Sequence, residues 1–346
     1  MKLVTIISRQ ADGPTLDIKL LSDELSRRKI KHVVLTKRIN KSLGGMISFG
    51  LHTLKQIYYI MRSDVVVVDG YCIPISMMPQ KENRIVIQMW HALGAVKKFG
   101  WQSINKKDGH SSRTARIMKM HRNYDYFIAP GRITAGYFAE AFDTSSDKAV
   151  YFGLPRIDYL KADSSELTQS ITTDYPGIFD KINVLYVPTF RKNQQLELAA
   201  LIEKFEFDKF NLIIKKHPLD KGDYSWAVDK GAIVDNKYAS EDWLKISDKI
   251  ITDYSAMIFE AAVINKEIYV YQPDESSYND NVGLNMDLSK EPIGEYVAFT
   301  EKDLIDKLAE PYDIEKTEEF CHKYIEADTG NCTGRICEFI YSLQNR

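Results

Sequence analysis

No glycine fingerprint of the GxGxxG type occurs in the 346 residues, and Leu43-Gly44-Gly45-Met46 is too isolated to replace it. An ordinary nicotinamide-dependent enzyme is therefore disfavoured. Cysteine is scarce: Cys72, Cys321, Cys332 and Cys337 form no CxxC pair, which speaks against a thiolate zinc site or a disulfide framework. No signal peptide opens the chain, since Met1-Lys-Leu-Val-Thr-Ile-Ile reads as a first strand. A cytoplasmic protein with reduced thiols is expected. No apolar run approaches the roughly 20 residues that span a bilayer, so any membrane contact should be peripheral, at the inner face of the cell membrane. Basic excess is also missing: the net charge is −2, so nucleic acid is not an expected partner and any affinity for anions must be local.

What the chain does contain is alternation. Leu3–Ser8, His32–Leu35, Val65–Val68, Ile85–Met89, Tyr126–Ala129 and Ala149–Phe152 are short apolar runs, as buried parallel strands require. Leu16, Leu20, Leu21 and Leu25 share a helical face, and another helix is expected near Ile133–Ala141. Asp163–Asp180, rich in Ser, Thr and Asp, reads as a linker region. A second alternation follows. Its strands are expected at Val184–Val187, Leu212–Lys215, Ala232–Val234, Ile250–Thr252 and Ile268–Tyr271. Its helices fall near Glu197–Phe205, Glu241–Ile246 and Ala256–Ile264, with a terminal helix at Arg335–Leu343. The expected class is α/β: two Rossmann-like parallel-sheet domains facing a cleft. Their bounds are 1–160 and 161–330, with 331–346 a terminal helix that can pack back on the first domain.

Two histidines close predicted strands, one in each half. His91 ends Arg84-Ile-Val-Ile-Gln-Met-Trp-His, and His217 ends Asn211-Leu-Ile-Ile-Lys-Lys-His. Ligands of open α/β sheets bind at the carboxyl ends of strands. An imidazole at His91 can act as a general base or simply cap the sheet. Gly94 would permit close backbone approach to a ligand. Pro218 stops the strand before His217, whose ring can serve a phosphate or sit in a loop without consequence. Asp253-Tyr-Ser255-Ala256 turns into a helix; Ser255 is a natural N-cap, and free N–H groups after it suit an anion. Glu260, a little over a turn further in, can accept both hydroxyls of a ribose or remain a solvated surface acid. Arg191 ends Val187-Pro-Thr-Phe-Arg and can grip a phosphate with two N–H groups, or be a surface cation. Gly153-Leu-Pro-Arg156-Ile-Asp158 lines the expected cleft or marks a domain-boundary turn.

The stretch 97–122 is different in kind. Lys97, Lys98, Lys106, Lys107, Arg113, Arg116, Lys119 and Arg122 face a single acid, Asp108, with Phe99 and Trp101 among them. That mixture suits anionic lipid headgroups or a pyrophosphate-bearing acceptor; the bland alternative is a flexible, solvated basic loop. Lys97, Lys98, Trp101, Arg113 and Arg116 are the candidate contacts. Ile47, Leu51, Leu54 and Tyr58, at helical spacing, can add an apolar face, but a core helix is the first reading.

In order along the chain, five segments carry a resemblance. They are Gln88-Met-Trp-His-Ala-Leu-Gly-Ala-Val-Lys-Lys, Gly153-Leu-Pro-Arg-Ile-Asp, Tyr186-Val-Pro-Thr-Phe-Arg, Lys215-Lys-His-Pro and Thr252-Asp-Tyr-Ser-Ala-Met-Ile-Phe-Glu. Together they resemble the CDP-glycerol:glycerophosphotransferase family, which primes or extends teichoic-acid-type polymers. The resemblance implies a GT-B fold, His91 as general base, His217 and Arg191 around the donor pyrophosphate, Asp253–Ser255 at the nucleotide phosphate, and Glu260 at the ribose. It implies CDP-glycerol as donor, a polyprenyl-diphosphate-linked glycan as acceptor and the cytoplasmic membrane surface as partner, with no metal and no cofactor. Where the family often reads Trp-His-Gly-Thr-Pro-Leu-Lys and Pro-Arg-Asn-Asp, this chain has Trp-His-Ala-Leu-Gly-Ala-Val-Lys and Pro-Arg-Ile-Asp. Those departures bear on the acceptor and on the transferred alcohol, and the shorter length compared with polymerases favours a primase-like enzyme. Rival readings are CDP-ribitol or nucleotide-sugar transfer on the same fold, a nucleotide-sugar epimerase, and a non-catalytic envelope-assembly protein.

Overall fold

The computed structural model describes every residue except 1, 40, 41, 108, 190–193, 218, 219, 328 and 346. The chain divides into two compact units, one formed by Met1–Tyr159 with Tyr324–Arg346, the other by Leu160–Lys323.

The first unit is built on six strands: β1 Val4–Ser8, β2 His32–Thr36, β3 Val65–Val68, β4 Ile85–Gln88, β5 Tyr126–Ala129 and β6 Ala149–Tyr151. All pair in parallel, in the order β2-β1-β3-β4-β5-β6. The second unit carries β7 Ile182–Tyr186, β8 Phe210–Ile214, β9 Ile233–Val234, β10 Lys249–Thr252, β11 Glu267–Tyr271 and β12 Val297–Ala298. Its order is β12-β11-β10-β7-β8-β9, again parallel. Both are Rossmann-like sheets, and the predicted α/β class is what the chain adopts. Strands such as Val65–Val68 are apolar at every position because helices cover both faces, and all four valines are fully buried. Each sheet reverses its winding once, between β1 and β3 in the first and between β7 and β10 in the second. Crevices at the carboxyl ends of such strands are where α/β proteins bind ligands.

Three readings of the sequence need correction. The 163–180 stretch is largely helix: Ser165–Asp174 buries Ile171, and Asp163 accepts from the Ser165 N–H at 3.0 Å. Asp163 bonds at the helix start, and Ser170, Thr172 and Thr173 donate to the carbonyls four residues earlier, so a composition that resembles a linker is absorbed within the helix. The 97–122 stretch is not a flexible loop. Ala115 and Met120 are buried. The Tyr71 hydroxyl donates to the Met118 carbonyl at 2.6 Å, and the Trp101 indole to that of Met120 at 2.9 Å. The helix Leu43–Arg62, read first as a core helix, buries only Gln56 and Ile60. Its apolar stripe faces outward.

The terminal helix Cys332–Gln344 belongs to the first unit and packs beside the helix Leu16–Arg27. The Gly153–Asp158 segment seats it. A side chain on Gly153 would come within 2.7 Å of the Cys332 sulfur, and the Asp158 carboxylate accepts from the N–H groups of Cys332 and Thr333, each at 2.7 Å. That pair of bonds satisfies donors a helix start otherwise leaves open.

An aromatic cluster on the same sheet encloses His121, whose ring lies 4.9 Å from that of Phe142 and whose Nδ1 sits 3.0 Å from the Tyr124 hydroxyl. Burial pushes its pKa down to about 3. Unfolded, the ring takes a proton near pH 6.5, so the unfolded chain gains protons first and stability falls as pH drops below that value. From pH 7 to pH 5 this amounts to about 2 kcal/mol. His121→Gln should remove that part of the acid sensitivity in urea unfolding. An undiminished loss in the variant would refute the assignment.

Candidate active site

In the first unit the carboxyl ends of β1, β3 and β4 lie side by side. They deliver Ser8-Arg9-Gln10, Asp69-Gly70 and Trp90-His91. Sharp chain reversal after β4 is achieved by Trp90, which takes the left-handed conformation at φ 61°. That costs energy for a bulky residue and persists only where the surroundings enforce it. Here they do. The buried Gln88 side chain accepts from the Trp90 N–H at 3.0 Å and donates to the Gly70 carbonyl at 3.1 Å. The indole stacks on Phe99 at 4.5 Å and meets the edge of Phe142 at 5.4 Å.

The strained turn presents His91. Its Nδ1 lies 2.7 Å from the Asp69 carbonyl oxygen. The Gln10 side-chain amide also lies 3.1 Å from Nδ1; a carbonyl can only accept whereas an amide can turn its oxygen to the ring, so the shorter Asp69 contact favours the proton on Nδ1 and leaves Nε2 as the basic nitrogen. Burial pushes the ring's pKa down to about 4, against the opposing pull of the Asp69 carbonyl. The ring is therefore neutral at physiological pH. Arg156 fixes the backbone on the other side, donating to the His91 carbonyl at 3.1 Å and to the Asp17 carboxylate at 2.5 and 2.9 Å. Arg156 and Asp158, expected to line a cleft, are thus engaged in holding the His91 turn and the terminal helix. Gly94 is buried, and Lys97 is near enough to contribute to the charge felt by His91.

Two groups here escaped the sequence reading. The Asp69 carboxyl is 2 % exposed, neither oxygen has a hydrogen-bond partner of good geometry, and burial lifts its pKa to about 6. Arg9 lays its guanidinium over the Tyr71 ring at 5.4 Å. The available signal was positional: both follow a fully buried strand end, as His91 does.

In the second unit, β10, β7 and β8 are neighbours, so Asp253–Ser255, Thr189 and His217 emerge at adjacent strand ends. Asp253 is buried and acts as a clamp. It accepts from the Thr189 N–H at 2.9 Å, the Thr189 hydroxyl at 2.7 Å and the Tyr254 N–H at 2.6 Å. The Thr252 hydroxyl donates to the Val187 carbonyl at 3.0 Å, tying the same two strands. Ser255 is not the N-cap. That position is Ala256, the helix runs Met257–Val263, and the Ser255 hydroxyl accepts from the Met257 N–H at 3.3 Å. Glu260 is 2 % exposed, the reverse of a solvated surface acid. His217 is half-buried, its carbonyl accepting from the Asp220 N–H at 2.8 Å. Arg191 and Pro218 lie outside the described residues.

Lys215, quoted above as part of a motif, proves to be an anchor. Its ammonium donates to the Asp235 carboxylate at 3.0 Å and to the carbonyls of Asp235 and Tyr238 at 2.8 and 2.6 Å. Asp235 also accepts from the Trp243 indole at 2.9 Å and the Tyr175 hydroxyl at 2.8 Å. Burial alone would raise its pKa, but these donors outweigh it and hold the carboxyl at about 2.

Of the membrane candidates, Arg113 and Arg116 are exposed, Lys97, Lys98 and Trp101 half-buried. No helix among the described residues is long and apolar enough to cross a membrane.

Comparison with known proteins agrees with the residue pattern. Residues 1–342 match the family described as CDP-glycerol:poly(glycerophosphate) glycerophosphotransferase. The teichoic acid ribitol-phosphate primase of Bacillus spizizenii is 29% identical over 328 residues, 91% of this chain and 84% of that protein. The teichoic acid glycerol-phosphate primase of Bacillus subtilis is 27% identical over 301 residues, 85% of this chain and 77% of that protein. A solved structure of the wall teichoic acid polymerase TagF superposes with a TM-score of 0.79 at 19% identity, covering 99% of this chain and 89% of that one.

Proposed function

The chain belongs to the CDP-glycerol:poly(glycerophosphate) glycerophosphotransferase family, and on that premise we propose that it moves glycerol phosphate from CDP-glycerol to a hydroxyl of a lipid-linked glycan or polymer, releasing CMP. The observation that carries this reading is the orientation of His91 at the strand end: Nδ1 faces the Asp69 carbonyl at 2.7 Å and the Gln10 amide at 3.1 Å, which leaves Nε2 to serve as the basic nitrogen. In the proposed step the acceptor oxygen attacks the β-phosphorus of the donor and its proton passes to Nε2 of His91. The bond from that phosphorus to the bridging oxygen breaks, and CMP leaves with the electron pair. Positioning and charge stabilisation dominate such phosphoryl-type transfers. His217, Arg191, Pro218 and the Asp253–Ala256 turn are assigned to the donor phosphates, and Glu260 to the ribose. Arg9 adds a cation at the His91 strand ends. A polymer of the cell wall or capsule is the proposed product, made at the inner face of the cell membrane.

A second reading, CDP-ribitol as donor, is supported by the similarity to the ribitol-phosphate primase over 91% of the chain. Incubation with CDP-glycerol, CDP-ribitol or UDP-sugars, each with and without a lipid-linked disaccharide, separates the possibilities. We expect acceptor-dependent CMP release from CDP-glycerol. Release from CDP-ribitol alone would establish the second reading. UDP release, or no nucleotide release from any donor, would overturn both.

A further inference from the structure

Beside the strand end that carries Asp69, the first unit holds a guanidinium that no acid neutralises. Arg9 follows β1 and is half-buried. Among the described residues no carboxylate pairs with it and no hydrogen bond engages its terminal nitrogens, while Nε is buried without a partner. The Asp69 carboxyl feels the charge, yet neither of its oxygens makes a hydrogen bond of good geometry. Arg156, by contrast, is neutralised by Asp17 at 2.9 Å. A donor that gives up water and gains no protein partner is costly, and a bound anion removes that cost. The side chain is nevertheless held in place. Its guanidinium lies over the Tyr71 ring, 5.4 Å from the centroid. That ring is itself fixed, through its hydroxyl on the Met118 carbonyl at 2.6 Å and through His121 at 5.5 Å. The Ser8 hydroxyl accepts from the Gln10 N–H at 3.2 Å, so the chain bends directly after β1. Gln10 then reaches the proposed base, its amide 3.1 Å from Nδ1 of His91. A Cβ at Gly70 would lie 3.4 Å from that amide. Cation and base are therefore one residue apart along this edge of the site.

We infer that Arg9 determines acceptor specificity: its guanidinium grips a phosphodiester already present in the acceptor, close to the hydroxyl that gives its proton to His91. The inference rests on the proposed reaction and adds to it the residue that reads the acceptor and the charge it reads. The planar fork of an arginine matches two oxygens of one phosphate. Successive Cα atoms lie about 3.8 Å apart, so an anion on Arg9 and a hydroxyl at His91 belong to the same short unit of the acceptor. Location selects acceptor over donor. The donor phosphates are assigned to the second unit, around His217 and the Asp253–Ala256 turn, whereas Arg9 stands in the unit that carries the base, where the attacking oxygen has to come. A neutral sugar would leave the guanidinium uncompensated. An acceptor that ends in a polyol phosphate neutralises it and delivers a hydroxyl to the imidazole at once.

Two water-soluble acceptors test this, each ending in the same glycerol hydroxyl. One is joined to its carrier by a phosphodiester, the other by the methyl phosphotriester, which keeps the shape and loses the charge. Each is measured twice on the full chain: binding without donor, by calorimetry, and CMP release with CDP-glycerol or CDP-ribitol. The wild type should bind the phosphodiester about tenfold or more tighter and use it with a kcat/KM higher by a similar factor, the scale of one hydrogen-bonded charge pair. In Arg9→Gln the two acceptors should come within about twofold of each other, and the loss should fall on the KM for the acceptor rather than on that for the donor. Arg9→Lys keeps the charge without the fork and should lie between; it also carries the test if the glutamine variant does not fold. A wild type indifferent to the acceptor's charge would overturn the inference, as would an Arg9→Gln protein that keeps the preference. A loss confined to the donor's KM would overturn it too, by assigning the guanidinium to the donor diphosphate. Acceptor binding that depends on Arg9 without CMP release from either donor would support the Arg9 site and overturn the reaction instead.

Discussion

Replacing His91 with alanine should lower turnover by roughly 10²–10⁴, the usual scale for a lost general base, while donor binding changes little. The geometry explains why the loss falls on turnover. The turn that carries the ring is held by Gln88, Arg156 and the Trp90–Phe99 stack rather than by the imidazole. His91→Gln is the companion variant, because an amide can still donate to the Asp69 carbonyl and keep the turn in place. The pH profile distinguishes a base from a structural histidine. In the free protein burial holds the ring at about 4, so the acid limb of kcat/KM should fall well below pH 6. A bound diphosphate brings negative charge to the site and favours the protonated ring. The acid limb of kcat should therefore lie at higher pH than that of kcat/KM. Activity within a factor of two of wild type in His91→Gln would remove the proposed base.

The largest effect on stability is expected from Asp235→Ala. The substitution strands the Lys215 ammonium, 8 % exposed, without its carboxylate, and strips partners from Trp243 and Tyr175. Breaking one side of a buried ion pair costs about 3–5 kcal/mol. Urea unfolding should show that loss in the second unit. Pairing Asp235→Leu with Lys215→Met should recover much of it, since a well-packed apolar pair can replace a buried ionic one. Donor affinity should fall in the single variant as well, because Lys215 fixes the end of β8 from which Lys216 and His217 emerge. A single variant as stable as the wild type would mean that the Lys215–Asp235 contact carries no net energy.

Much of the fold could be read from apolar runs. Val65–Val68 and Ile250–Thr252 are strands in the structure as in the sequence, because burial on both faces leaves no polar position to confuse the pattern. Orientation was less legible. The 3.6-residue spacing of Ile47, Leu51, Leu54 and Tyr58 reveals an apolar face, but no local rule tells whether that face turns to the sheet or to the outside, and here the face with Gln56, Tyr59 and Ile60 turns inward. The placement of candidate side chains was legible where one follows a strand directly, as with His91 and Asp253. It was hidden where backbone conformation or distant partners matter. Trp90 at φ 61° has no sequence signature, and the Asp158 carboxylate finds the Cys332 N–H across a sequence separation of 174. Ser, Thr and Asp at 163–174 misled because hydroxyls that bond back to the carbonyl four residues earlier let a linker-like composition form a helix.

Gly153 has no room for a side chain because the last helix presses against it. Synthesis runs from the amino end, so the strands around His91 leave the ribosome long before the segment that closes over them. Between the two come all of residues 160–323. The second unit can collapse on its own contacts during translation, whereas the first lacks the Cys332 and Thr333 N–H groups that donate to Asp158 until that helix has been made. Assembly of the half that bears the imidazole is thereby tied to synthesis of residues 324–346.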